Sequence, residues 1–162
     1  MTGMTSIRGV VVAAALGMMM LAPQAVAAQQ MIDGSDPDQI LNLARGYGSA
    51  NLEKSDNGDP LIRGRIDGVG YAIFFNDCTN NRNCDTLGFY AGWTDTNVTE
   101  AHVAEWNRTK RFSRAYIDDE GDPVIEFDVN LKSGVSRRNF DDTLDWWKTV
   151  MLDFRDQVID AN

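Results

Sequence analysis

The sequence is poor in the residues that build most catalytic and metal centres. It holds two cysteines and one histidine. A structural zinc site takes four Cys or His ligands, so these three side chains are too few. His102 has no activated serine or thiol partner apparent in the sequence and reads as a solvated helix residue. Positive charge is scarce: 15 Lys and Arg face 24 Asp and Glu, a net charge of −9. That balance excludes a nucleic-acid binder, which needs a basic face to displace counterions. It also argues against docking on anionic lipid. The acids fall in turns (Asp118, Asp119, Glu120, Asp122) and along one helix, where nothing sets two of them across a pocket as glycoside hydrolysis requires. The acidic turn lacks the twelve-residue spacing of a calcium loop. Long apolar runs are missing too. The one run, Val10 to Ala22, has 13 residues, short of the ~20 that cross a bilayer.

That run belongs instead to an export signal. Arg8 is the only charge before Asp33, and the run ends in Ala25-Val26-Ala27-Ala28, a small-x-small exit. Cleavage after Ala27 or Ala28 is expected. It would remove Arg8 and no acid, taking the net charge from −9 to −10. No cysteine lies near the cleavage point to carry a lipid. The expected organisation is a signal peptide over 1–28, a disordered leader over 29–34 and a single domain over 35–162. The cleaved product is periplasmic or secreted from a bacterium, without stable membrane association.

Cys78 and Cys84 flank a polar loop, Thr79-Asn80-Asn81-Arg82-Asn83. In an oxidising compartment a local disulfide is their leading use. A bridge closing so short a loop contributes roughly 2–2.5 kcal/mol by chain entropy. A redox role would prefer the C-x-x-C spacing, which is absent.

Turn signals and periodicity divide the rest. Asp36-Pro37 caps a first helix with Ile40, Leu43, Ala44 and Tyr47 at helical spacing. Strands are predicted over 50–55, 61–66, 69–75 and 86–93, joined by polar turns such as Asp56-Asn57-Gly58-Asp59 and Asp67-Gly68. Asn97 with Glu100 predicts a capped second helix burying Val103 and Trp106. Strands follow over 114–118 and 124–131. In the last helix Phe140, Leu144, Trp147, Met151, Phe154 and Val158 form one stripe. The order α-β-β-β-β-α-β-β-α predicts an α+β fold, an antiparallel sheet with helices on one face.

Trp106-Asn107-Arg108, Arg111-Phe112, Ala115-Tyr116, Asp118, Gly121-Asp122, the run 124–131 and Gly134-Val135-Ser136 resemble the YbjN domain family. Leu144, Trp147 and Phe154 fit its final helix, and the Cys78 and Cys84 pair resembles that of exported members. The resemblance spans roughly residues 33 to 159. It implies a fold similar to the type III secretion chaperones and a role in sensory-transduction regulation. Those chaperones bind polypeptides and often dimerise, although an export signal departs from their cytoplasmic setting.

Two surfaces are candidates. Arg108, Lys110, Arg111 and Arg114 form the one basic cluster in an acidic chain and could grip a partner's carboxylates beside Trp106, or simply neutralise nearby acids. Trp106 itself is a core candidate at its helical position. Trp146, Leu152 and Ile159 fall off the last helix's apolar stripe on opposite flanks. They need cover from the same chain or from a second subunit, hence a possible homodimer. Asn97 and Asn107 each head a glycosylation triplet, read as incidental. No catalytic residue, cofactor or metal is expected. The leading reading is an exported, non-enzymatic module that binds a polypeptide partner, of unknown identity. A small-ligand-binding envelope-stress or sensory regulator domain, with a pocket lined by Tyr71, Tyr90 or Trp93, is the alternative, and an enzyme of unknown class comes last.

Overall fold

The computed structural model describes residues 30–162; the expected signal peptide lies outside them. The described elements run β1 (Met31–Ile32), α1 (Pro37–Ala44), β2 (Ser49–Lys54), β3 (Pro60–Ile66), β4 (Val69–Asn76), β5 (Thr86–Gly92), α2 (Glu100–Thr109), β6 (Arg114–Ile117), β7 (Pro123–Asn130), β8 (Val135–Ser136) and α3 (Arg137–Phe154). A π-helical turn, Arg155–Ile159, extends α3. The predicted order is present, with two short strands added.

Six strands form an antiparallel sheet in the order β2-β3-β4-β5-β7-β6. The turns follow from local chemistry. Asp67 (φ 46°) and Gly68 (φ 88°) close the β3–β4 hairpin with both central residues left-handed, the geometry that Asp-Gly favours. The register sets Ile62 opposite Ile73 and Ile73 opposite Phe89, and Phe89 opposite Phe127. These rows make one apolar face. The three helices cover it, with α3 delivering Phe140, Leu144, Trp147, Met151 and Phe154, all fully or nearly fully buried. Trp147 packs 5.5 Å from Phe89, and Phe154 packs 5.4 Å from Trp93 and 5.1 Å from Trp106, between centroids. Phe154 therefore ties α3 to the sheet and to α2 at once. Val150 joins the buried stripe, which the periodicity of six had left out.

The leader is not disordered from residue 30 on. Met31 and Ile32 pair with Ser136 and Val135, and Ile32 is 1% exposed in the core. The reason is apolar burial. Ile32 is the one large β-branched residue in a polar stretch, and fully burying such a side chain gains about 1.5–3 kcal/mol. Gly34 then crosses Cys84 so closely that an added Cβ would sit 2.1 Å from the Cys84 carbonyl oxygen, and Cys84 N–H donates to the Gly34 carbonyl at 3.2 Å. Cys78 and Cys84 form a disulfide. Its loop reaches back to the β2–β3 turn, where the Asn81 amide donates to Asn57 O (3.1 Å) and Asp59 Oδ1 (2.8 Å).

Candidate functional site

The basic segment begins where α2 ends. The N-cap of α2 is Thr99 rather than Asn97. Thr99 is extended (φ −117°), and its N–H donates to His102 Nδ1 at 3.2 Å. His102 thus takes the third-position role that glutamate usually fills. Asn97 instead donates to the Asn162 carbonyl at 3.2 Å. The helix stops at Lys110, which turns extended (φ −109°, ψ 159°).

The chain then crosses to β6 under tight bracing. Trp106 is buried in the core and its indole N–H donates to Ser113 Oγ at 3.0 Å. Asn107 clamps Ala115, donating to its carbonyl at 2.8 Å and accepting from its N–H at 2.9 Å. Held at both ends, the loop places Phe112 at φ 65°. A bulky non-glycine residue there costs of order 1–3 kcal/mol, and such strain persists only where surrounding contacts impose it. The strain secures no burial, since Phe112 is 46% exposed.

Phe112 lies against a second exposed aromatic. Trp146, 44% exposed on α3, stacks on it with centroids 4.8 Å apart at 37°. Arg111 sets its guanidinium 4.9 Å from the Phe112 centroid, and Lys110 sets its ammonium 5.2 Å from that of Trp106. Together they border a groove of about 270 Å³, with Asp153 at its lining as the one acid. The other two basic residues are occupied. Arg108 makes a two-point pair with Glu105 (3.0 and 2.6 Å), and Arg114 pairs with Glu126. Among the described residues, neither Lys110 nor Arg111 has a carboxylate within ion-pair distance.

The structure thus brings Trp106, Arg111 and Trp146 to one groove and leaves Arg108 and Arg114 in local pairs. Leu152 and Ile159 are half-buried against the core, away from Trp146, on the flank where Lys148 and Arg155 meet Asp67. Phe112 was missed as a site residue. Its signal was a lone aromatic inside Lys110-Arg111-Phe112-Ser113-Arg114.

The remaining candidates lie apart. Tyr71 belongs to the helix-covered face of the sheet and Tyr90 to the opposite one, while Trp93 packs on Phe154, so the three do not line one pocket. On the open face Tyr116 donates to Glu126 at 2.8 Å, and its phenol is pushed up to about 12 by burial and then by that carboxylate. Burial and the neighbouring Asp118 also raise the Tyr90 phenol. Asp118, Glu120 and Asp122 bring carboxylate oxygens within 4.8 Å of one another. Asp118 is already used in its turn, accepting the N–H groups of Glu120 and Asp122 at 3.0 and 2.9 Å. Among the described residues, no helix is long and apolar enough to cross a membrane.

Compared with known proteins, residues 36–160 match the YbjN family model, described as "Putative bacterial sensory transduction regulator". No curated protein and no solved structure matches the chain.

Proposed function

Because the chain belongs to the YbjN family of bacterial sensory-transduction regulators, we propose that it is a non-enzymatic regulatory module that acts outside the cytoplasm by binding a polypeptide in a chaperone-like manner. The observation that carries this reading is the exposed Phe112–Trp146 pair. Soluble domains rarely hold two large aromatics in water side by side, and aromatic anchors dominate protein interfaces. Here one of them is kept there at the expense of backbone strain. Export is supported by the leader pattern and by the Cys78–Cys84 disulfide, a bond that persists in oxidising compartments.

A photo-crosslinking residue at Thr149, which lines the groove, tests the reading in the native host. Envelope fractions should yield a discrete adduct, identifiable by mass spectrometry, that disappears in Trp146→Ala. A probe at Asp128, on the opposite sheet face, should not give it. Equal labelling from both positions, or none from Thr149, overturns the proposal.

A further inference from the structure

Resting on that reading, we infer that the groove takes an acidic peptide segment carrying one apolar anchor side chain, with Lys110 and Arg111 as the two cations that select it. Charge is the first reason. The chain is strongly acidic, at −9, yet the rim of this groove carries two cations with no carboxylate at ion-pair distance among the described residues. Arg108 and Arg114, equally basic by sequence, are satisfied by Glu105 and Glu126, so within this basic cluster the unpaired charge is the pair at the groove. Size is the second reason. Drug-sized ligands fill enclosed sites of about 300–1,000 Å³. This groove is open and smaller, at about 270 Å³, and suits one anchoring side chain with the rest of the ligand outside. Geometry is the third. Each cation sits beside a ring, Arg111 by Phe112 and Lys110 by Trp106. An apolar anchor laid against the stacked Phe112–Trp146 pair therefore leaves its neighbours' carboxylates next to a guanidinium, which binds them in two-point fashion. Asp153 sits in the same lining and opposes such a ligand, which makes it a tuning position.

Protein purified after expression of the full chain would be titrated into three labelled synthetic peptides and followed by fluorescence anisotropy. One has a central Phe among Asp and Glu, one has the acids replaced by Lys, and one has the Phe replaced by Ser. The acidic Phe peptide should bind, and binding should weaken as salt rises. The other two should bind at least about tenfold less well. Arg111→Glu should lower affinity for the acidic Phe peptide about tenfold or more, Asp153→Asn should raise it, and Arg108→Glu should leave it within about twofold. All three positions are outside the fully buried core, and a shared melting temperature confirms folding. The inference is overturned if the Lys peptide binds as well as the acidic one, or if Arg111→Glu changes nothing. If the Lys peptide binds and loses affinity in Trp146→Ala, the groove is a polypeptide site of another charge class, and the broader reading stands. If neither peptide binds and Trp146→Ala converts a dimer to a monomer in sedimentation, the occupant is a second copy and the inference fails. If neither binds and the Thr149 crosslink is also absent, both fail.

Discussion

Tyr71 stands over the core side of the sheet with its hydroxyl buried and without a hydrogen-bond partner among the described residues; the buried Trp147 indole N–H is in the same position. A hydroxyl taken out of water without a partner costs roughly 1–3 kcal/mol. Tyr71→Phe removes that cost and leaves the ring, so chemical denaturation at neutral pH should show a gain of about 1 kcal/mol. The same residue shapes the alkaline limb of stability. Burial pushes the phenols of Tyr47, Tyr71 and Tyr116 up to about 12, with nearby acids adding to the effect at Tyr47 and Tyr116. An unfolded phenol titrates near 10. Between about pH 10 and 12 the unfolded chain loses these protons while the folded chain keeps them, so stability falls as pH rises through that window and is fully present below it. Urea midpoints measured across the window should drop more steeply for the wild type than for Tyr71→Phe. Parallel slopes would show that Tyr71 ionises as freely folded as unfolded.

At the scale of elements, the loop between α2 and β6 depends on one side chain. Asn107→Ala removes both hydrogen bonds to Ala115, whose N–H and carbonyl lose their partner. It should cost about 1–3 kcal/mol in thermal or denaturant unfolding. It should also weaken any ligand of the Phe112–Trp146 groove, because the loop that holds Phe112 is released. A loss of stability with unchanged ligand affinity would show that Phe112 is positioned by something else. This clamp also marks the limit of what the sequence discloses. The α3 stripe and the alternation of β3 to β5 are legible, because burial on one face imposes a period of 3.6 or 2 on the residues themselves. The pairing of Ile32 with Val135 and the meeting of Phe112 with Trp146 are not, because each joins segments far apart in the chain and leaves no periodic trace. Asn107 looks in sequence like a glycosylation triplet and in space like a strap. The cations Arg108, Lys110, Arg111 and Arg114 are a single cluster in sequence; only the positions of Glu105 and Glu126 separate two neutralised ones from two that face the groove.

Across the whole molecule, the loop closed by the local Cys78–Cys84 bridge is the link between distant parts. Cys84 hydrogen-bonds to Gly34 beside β1, and Asn81 within the closed loop bonds to the β2–β3 turn. A double Cys78→Ser, Cys84→Ser variant should lose roughly 2–2.5 kcal/mol through restored loop entropy. Amide exchange should rise first at Ile32, Gly34 and Cys84→Ser, ahead of the α3 core. Protection at those amides equal to that of oxidised wild type would show that the bridge is dispensable for seating β1. In protein taken from the native host, labelling of unreduced, denatured material should find no free thiol; two reactive thiols would count against the proposed export.

Met31 finds Ser136 across every element between the leader and the last helix. A polypeptide emerging from its amino end, whether from a ribosome or through a membrane pore, therefore cannot seat Ile32 until β8 has followed. A strand that appears early is thus among the last to dock, and its seat is completed only by the two residues that lead into the final helix.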